Sequence, residues 1–409
     1  MATIVAIGNY KSINAVDVSG RRVVVRADLN VPLAGGQVSD ATRIERLIPT
    51  LENLVSRGAK VVILSHLGRP DGQKKPEYTL KPVAAKLAGM MPGKTVRFVE
   101  DCIGPVAENA VAALQPGEIA VLENLRYYAG EEKNEPGFVA SLVKLGDIFV
   151  NDAFSVSHRA HASVYGIALA LPAYAGPQML AELNAFQLVL GLPKRPVAAI
   201  VGGAKVSSKI PLLSNLAPKV DMLIIGGGMA NTFLHAQGFN VGKSLCEPSF
   251  AETVESIMSR AAETGCKIIL PSDAVVAREF APNAPHSVYP VTAIPEDGMI
   301  LDIGPKSVAD FTARIQSAKT LLWNGPVGAF ETPPFGAGTF ELAKVAAERT
   351  KAGELVSVGG GGDTVAALNT AGVTESFTYV STAGGAFLEW LEGRELPGVV
   401  ALAQSRTTA

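Results

Sequence analysis

Cysteine is scarce in this chain of 409 residues. The three present, at 102, 246 and 266, share no metal-ligand spacing and form no even set. A disulfide framework and a zinc site are both disfavoured, and a reducing compartment is the natural setting. A surplus of charge of one sign is also missing. The formal net charge of -2 leaves no broad footprint for nucleic acid or for an anionic membrane surface. No segment reaches the ~18 charge-free apolar residues that a spanning helix needs. The opening MATIVAIGNYKSI has no basic stretch followed by a long apolar run. A soluble, cytoplasmic protein without nucleic-acid or membrane partners is expected. Two common nucleotide signatures are absent as well. A GKS stands at 242–244, but the glycine that a P-loop requires five positions before Gly242 is Gln237. No GxGxxG fingerprint follows a strand, which argues against hydride transfer.

What the chain does have is a generous interior. Hydrophobic residues make up 48% and charged residues 18%, a globular composition too long for one ordinary core. Short β-branched runs alternate with helical patterns: RRVVVRADLN (21–30), AKVVILSHLGRP (59–70), TVRFVEDC (95–102), EIAVLENLRYY (118–128) and DIFVNDAF (147–154). The second half repeats the rhythm with PVAAIVGG (196–203), VDMLIIGGG (220–228), CKIIL (266–270), TLLWNG (320–325), ELVSVGG (354–360) and FTYVSTAGG (377–385). Strands buried on both faces and separated by helices predict parallel α/β sheets, one in each half. The Pro- and Gly-rich PAYAGPQML (172–180) marks the expected boundary, ahead of a helix that could span both domains. Two such halves facing each other would leave a cleft. Ligands of open α/β sheets sit beyond the carboxyl ends of the strands.

The unusual residues fall at those ends. In the first half Asp28 and Asn30 follow the first strand and Arg43 opens the next helix. His66 and Arg69 end SHLGRP, Arg126 follows VLENL, and Arg159 follows FVNDAF between His158 and His161. A single loop arginine is ordinarily a solvated charge. Four arginines and a histidine at successive strand ends suit a small polyanion, since the guanidinium fork gives two parallel charge-assisted bonds. A basic docking face for a protein partner is the other reading.

The second half offers glycine instead. GGAKVSSKI (202–210) places Lys205 and Lys209 four apart, read as one face of a starting helix. GGGMANTF (226–233), NGPVGAFE (324–331) and GGGGDTVAAL (359–368) follow their strands directly. Such runs let backbone N–H groups approach an anion at a helix N-terminus. Asp363 or Thr364 would cap the last of these helices, and Asp363 could instead reach magnesium. Arginines in one half and phosphate-cradling glycines with two lysines in the other suggest phosphoryl transfer, a reaction that asks for alignment, charge neutralisation and exclusion of water.

The blocks RADLNVP, SHLGRP, ENLRY, NDAFSVSHRAHAS, GGAKVSSKI, GGGMANTF, LDIGPKS, WNGPVGAFE, GGGGDTVAAL and STAGG resemble, in order, those of the phosphoglycerate kinase family, from about residue 20 to 395. The resemblance implies two Rossmann-like three-layer α/β/α domains with mostly parallel sheets, separated by a cleft and hinge. Residues 1–174 with the tail 394–409 would bind 3-phosphoglycerate, and residues 175–393 the nucleotide. It implies reversible, in-line transfer between 1,3-bisphosphoglycerate and ADP, with Mg2+ accompanying ATP or ADP, in a monomer. Asp28, Asn30, Arg43, His66, Arg69, Arg126 and Arg159 would hold 3-phosphoglycerate. Lys205, Lys209, Gly226, Asn324, Glu331, Gly360, Gly361, Gly362, Asp363 and Thr364 would serve the nucleotide, with Asp363 toward the metal. Arg43, Lys205, Gly384 and Gly385 would lie along the phosphoryl path.

Two positions depart from the family pattern: Ala383 in STAGG stands where a glycine is expected, and Ser155 follows Phe154 where the family often has glycine. Neither removes a charge. The competing readings are another ATP-dependent kinase of a small carboxylate and an inactive nucleotide-binding homologue. The first does not account for arginines gathered in one half and lysines in the other. The second sits poorly with the retention of every charged site residue.

Overall fold

The computed structural model describes residues 10–405. The chain divides into two compact units, one comprising the residues through Leu183 together with those from Glu395 onward, the other Asn184–Arg394.

The first unit contains β1 (Arg22–Arg26), the short hairpin β2 (Leu33–Ala34) and β3 (Gln37–Val38), β4 (Lys60–Leu64), β5 (Val96–Val99), β6 (Ile119–Leu122), β7 (Ile148–Asn151) and β8 (Ala173–Ala175). Six of these form a parallel sheet in the order β5-β6-β4-β1-β7-β8. The pairing of Val24 with Val62 and with Phe149 sets the register of its centre. Val23, Val25, Val61 and Ile63 turn one face toward Ile44, Leu47, Leu51 and Leu54 of the helix Thr42–Ser56 and toward Val83 and Leu87 of the helix Lys81–Met90. Val24 and Val62 alternate onto the opposite face and are also buried. Burial on both faces is why these strands read as unbroken β-branched runs. The helix Thr42–Ser56 continues through Pro49. Its apolar positions at spacings of three and four offset the lost backbone hydrogen bond by packing. Ala173–Ala175, inside the stretch read as the domain boundary, is the edge strand of this first sheet.

The second unit contains β9 (Val197–Val201), β10 (Met222–Ile225), β11 (Lys267–Ile269), β12 (Asp273–Ala277), β13 (His286–Pro290), β14 (Met299–Ile303), β15 (Thr320–Asn324), β16 (Val356–Gly360) and β17 (Tyr379–Ser381). Its parallel sheet runs β11-β10-β9-β15-β16-β17. Ile200, Ile224 and Trp323 pack with Phe311 and Ile315 of the helix Pro305–Ser317 and Leu342 of the helix Ala337–Lys351. All six strands expected from the sequence of this half are present. A further three-stranded antiparallel sheet, β13-β12-β14, was not expected. Its outer strand β13 is largely exposed and carries no buried apolar run to announce it. Among the described residues no helix is long and apolar enough to cross a membrane.

One buried carboxylate joins the antiparallel sheet to the helix Pro305–Ser317, which packs on the parallel sheet. Asp273, at the start of β12, is 3% exposed. It accepts hydrogen bonds from the backbone N–H of Ser307 at 2.8 Å and of Lys306 at 3.1 Å, and from the Ser307 hydroxyl at 2.6 Å. It thereby satisfies the first turn of the helix Pro305–Ser317 from outside that helix. Asp273→Ala should cost about 2 kcal/mol of stability, the sum of a lost cap and an unmet buried donor. Urea denaturation of variant and parent checks this; an unchanged midpoint would rule the anchor out.

Candidate active site

The carboxyl ends of the first sheet gather the predicted basic residues. Asp28 lies two residues beyond β1 and organises its loop. Its Oδ1 accepts from the Asn30 backbone N–H at 3.1 Å and from Arg43 Nη1 at 2.9 Å, and its Oδ2 accepts from the Ser155 hydroxyl at 2.6 Å. Ser155, where the family often has glycine, is thus tied to the site. Arg43 Nη1 also donates to the Asn30 carbonyl at 2.8 Å, which commits one nitrogen of the guanidinium and leaves the side chain partly exposed. Asn30 Oδ1 accepts from Gly68 N–H at 2.9 Å, and Arg126 Nη1 donates to the Gly68 carbonyl at 2.9 Å. Asn124 shapes the turn that presents Arg126. It accepts from the Arg126 N–H at 3.0 Å and donates to the carbonyls of Leu67 and Tyr78. Arg69 and Arg159 are exposed. The field of each reaches Arg126, whose pKa is lowered first by burial and further by these like charges. The segment that follows β7 therefore brings Arg159 to the same end of the sheet as His66, Arg69 and Arg126.

Sequence reasoning missed the layer beneath. Arg26, the last residue of β1, is 0% exposed, as are Glu131 and Ser163. Arg26 Nε donates to Ser163 Oγ at 2.9 Å, and Ser163 in turn donates its hydroxyl to Glu131 at 2.5 Å and its backbone N–H at 2.9 Å. His161 Nδ1 lies 3.7 Å from Glu131. Burial pulls the Arg26 guanidinium down to about 10 and His161 to about 3, while it pushes the Glu131 carboxyl up. The one signal available was a charge closing an otherwise apolar run, VVVR.

The second unit holds a cavity of about 580 Å³, within the range of small-molecule sites. Gly203, Gly227 and Gly228 form one wall, the Pro326–Thr332 segment another, and Leu245, Phe280 and Val291 add apolar surface, with Glu331 and Asp363 also lining it. The apolar residues come largely from the region of the unanticipated antiparallel sheet. Lys205 and Lys209 do not share a helical face. Lys205 precedes the 3₁₀ turn Val206–Ser208 and Lys209 precedes the helix Ile210–Leu216. Pro211 in the first turn sets that helix start, and Glu247 fixes the turn by accepting from Ser207 N–H at 2.9 Å and from its hydroxyl at 2.7 Å. Glu247 is a second residue that the sequence reading passed over.

Neither Asp363 nor Thr364 caps the helix Gly362–Thr370. The cap position is Gly361, at φ 99°, with no side-chain bond to the helix. Thr364 Oγ1 instead accepts from Gly325 N–H at 2.7 Å, and Asn324 Nδ2 donates to the Gly360 carbonyl at 2.7 Å. Lys209 Nζ donates to Asn324 Oδ1. Asn324 and Thr364 therefore lie under the glycine turns and shape them. Burial lowers the Lys209 pKa, opposed by the negative charges of Asp363 and Glu392. Gly226 precedes the helix Gly227–Ala236. Gly384, at φ 55°, precedes the helix that begins at Gly385. Ala383 is buried outside the left-handed region and its N–H donates to Ser381 Oγ at 3.2 Å, so the position that demands glycine is the retained Gly384.

Among the described residues no cluster of three His, Cys, Asp or Glu could hold a metal. Asp363 and Glu331 are exposed carboxylates at the cavity edge, and of the two Asp363 is the one within a glycine turn. That donor set fits magnesium carried mainly by nucleotide phosphates, not a protein cage.

A guanidinium-lined strand end in one α/β unit and a glycine-walled, nucleotide-sized cavity in the other define a phosphotransferase of small anions. The phosphoglycerate kinase family profile matches residues 13–394. A phosphoglycerate kinase of Methylobacterium radiotolerans is 60% identical over 389 residues, covering 95% of this chain and 97% of that protein. That of Agrobacterium fabrum is 59% identical over 390 residues, covering 95% and 97%. The structure of phosphoglycerate kinase from Coxiella burnetii superposes with a TM-score of 0.91 at 41% identity, covering 97% of this chain and 99% of that one. The enzyme from Pyrococcus horikoshii gives 0.79 at 29% identity, covering 96% and 98%. The chain belongs to the phosphoglycerate kinase family.

Close backbone approach holds the glycine turns in place. A Cβ on Gly202 would fall 1.9 Å from the Pro326 carbonyl oxygen, and one on Gly325 would fall 2.2 Å from the Gly202 carbonyl oxygen. Both obstacles are backbone and cannot rotate away. Gly202→Ala should destabilise the protein by about 3 kcal/mol, at the top of the overpacking range. It should also weaken nucleotide binding by displacing the 325–327 segment. Calorimetric ADP titration alongside urea denaturation checks both, and parent-like values in the two would show that the turns tolerate separation.

Proposed function

We propose that the chain catalyses reversible phosphoryl transfer between 1,3-bisphosphoglycerate and ADP, giving 3-phosphoglycerate and ATP. The observation that carries this reading is the gathering of Arg43, Arg69, Arg126, Arg159 and His66 at one sheet end, in a member of this family. Arg69 and Arg159 are exposed cations suited to phosphate or carboxylate oxygens. Arg126 is held by Gly68 and Glu132 and presents a fixed orientation. Asp28 and Asn30 set the loop and offer groups to substrate hydroxyls.

In the second unit the backbone of Gly226 and of Gly360, Gly361 and Gly362 would meet nucleotide phosphates, with Asn324 and Thr364 fixing those turns. Glu331 would sit at the cavity edge toward the nucleoside. Lys209 would neutralise phosphate charge, and Lys205, exposed on the turn held by Glu247, would follow the phosphoryl group. Gly384 and Gly385 would offer backbone N–H groups to it. Asp363 would hold magnesium, which supplies charge neutralisation at the phosphates when bound. Direct transfer requires donor and acceptor oxygens in line with phosphorus and water excluded, and needs no covalent intermediate on the protein. We take the enzyme to be a cytoplasmic monomer.

A coupled assay of ATP-dependent 3-phosphoglycerate phosphorylation, with acetate as the control acceptor and with and without magnesium, tests the assignment. Absence of turnover in folded protein, or equal use of acetate, would overturn it. Arg43→Ala should lower kcat by about a hundredfold or more, the scale of a preorganised charge donor worth ~3 kcal/mol, with a smaller change in the 3-phosphoglycerate KM. Near-normal kcat with a large rise in KM would make Arg43 a plain binding residue. Lys209→Ala should chiefly weaken ADP binding and Lys205→Ala chiefly slow transfer. Equal effects on the nucleotide dissociation constant would reject that division.

A further inference from the structure

His66 is 4% exposed and its ring is not free to choose its protonation state. Arg26 Nη2 lies 3.2 Å from His66 Nδ1. A guanidinium carries only donors and stays charged in proteins, so this contact has one chemical reading. Nδ1 is the acceptor, its lone pair faces the cation, and the ring proton sits on Nε2. We propose that Arg26 is a positioning residue that fixes His66 as the neutral Nε2–H tautomer, so that His66 serves the anion site as a neutral hydrogen-bond donor and neither as a cation nor as a base.

The rest of the layer explains why Arg26 can hold that geometry. Each of its three guanidinium nitrogens has a partner: Ser163 Oγ for Nε, the Ala27 carbonyl at 2.5 Å for Nη1, and His66 for Nη2. Ser163 has a single hydroxyl proton, and it goes to Glu131. The hydroxyl therefore accepts from Arg26, and the fork cannot rotate without breaking its own bonds to Ser163, the Ala27 carbonyl and His66. Glu131 supplies the buried negative charge that Arg26 requires. Four segments meet here: the end of β1, the loop after β4, the turn carrying Glu131, and the loop carrying Arg159 and Ser163. The charged or titratable groups acting on His66 are Arg26, Arg126, His161 and Arg43, and each opposes a proton on Nδ1. Burial opposes it more strongly still, so the ring lies well below the ordinary histidine pKa. A histidine in an arginine cluster looks like one more cation for a polyanion. The geometry makes it the site's uncharged, directional member.

The role rests on the proposed binding of 3-phosphoglycerate to this strand end, but its central test needs neither substrate nor turnover. Nitrogen-15 labelled histidine in the full-length enzyme, observed through two-bond proton–nitrogen correlations between about pH 5.5 and 8, reports tautomer and charge directly. His66→Gln assigns the signals by loss. His66 should show a protonated Nε2 and a bare Nδ1 across the whole range. A proton on Nδ1, or a doubly protonated ring near pH 6, would overturn the proposal even in a fully active enzyme. Conversely, the expected spectrum in a protein that fails to phosphorylate 3-phosphoglycerate would leave the tautomer assignment intact and defeat only the functional reading. Arg26→Met, which keeps the aliphatic stem and removes the donors, should let both tautomers appear. It should also raise the 3-phosphoglycerate KM about tenfold, with the ADP KM unchanged. Arg26→Lys, which keeps the charge without the fork, should restore less than half of that loss on a logarithmic scale. If either variant does not fold, the parent spectrum still decides. A folded Arg26→Met enzyme with an unmixed tautomer would reject the role of Arg26.

Discussion

A guanidinium sealed from water must be answered by a carboxylate and by acceptors for all its nitrogens. Arg26 imposes that demand on the first unit. Desolvating an ion costs several kcal/mol, and only good geometry and a counter-charge recover it. Glu131 provides the charge, Ser163 relays it, and the Ala27 carbonyl and His66 take the remaining donors. The consequence reaches beyond stability. Each partner comes from a different segment of the site, so satisfying one buried cation ties together the segments that carry Asp28, Arg69, Arg126 and Arg159. The layer resists compression because any shift leaves a buried polar group unmet.

The second unit solves its own anion problem with backbone. Glycine removes the side chain wherever two turns must touch, and Gly202 and Gly325 approach each other to distances that no Cβ allows. The side chains near these turns point their polar atoms at the main chain. Asn324 bonds to Gly360 and Thr364 to Gly325, which joins the ends of β15 and β16. Lys209 is tethered to Asn324, and Glu247 holds the segment that carries Lys205. Lysine suits this part because its charge is compact and its stem adapts, whereas the fork of arginine suits a fixed anion.

Much of this was legible in residue order. Runs such as VVV and LLWN announce strands because both faces are buried, and charges that interrupt such runs announce strand ends. The antiparallel sheet was not legible, since β13 is mostly exposed and the runs DAVVA and MILDI each carry an aspartate and are not followed by a run of glycines. The apolar cavity residues Phe280, Leu245 and Val291 went unread for the same reason, since they come from loops and turns outside the main sheet. The spacing of Lys205 and Lys209 suggested a helix, but a 3₁₀ turn lies between them and the helix starts only at Ile210, with Pro211 in its first turn. Thr364 looked like a cap because hydroxyls often cap helices. Only the fold reveals that Gly325 claims its oxygen. Local pattern carries information about local partners, while Arg26 finds Ser163 across 137 positions, a pairing no window could contain.

Burial also sorts the cations by task. Arg69 and Arg159 are exposed, Arg43 is partly so, and Arg126 and Arg26 are buried. An exposed arginine keeps its hydration until an anion displaces it, so it suits capture. A buried arginine has already exchanged water for protein acceptors and has few donors left to give, so it suits support. Arg126 stands between the two roles, with Nη1 committed to Gly68 and Nε facing Glu132 at 3.3 Å. Glu132 is itself exposed and can yield to a competing anion, whereas Glu131 is sealed and cannot. Two adjacent glutamates therefore share Arg126, and only the sealed one also answers Arg26. One serves as a replaceable counter-ion at the surface of the cluster, and the other as the fixed charge beneath it.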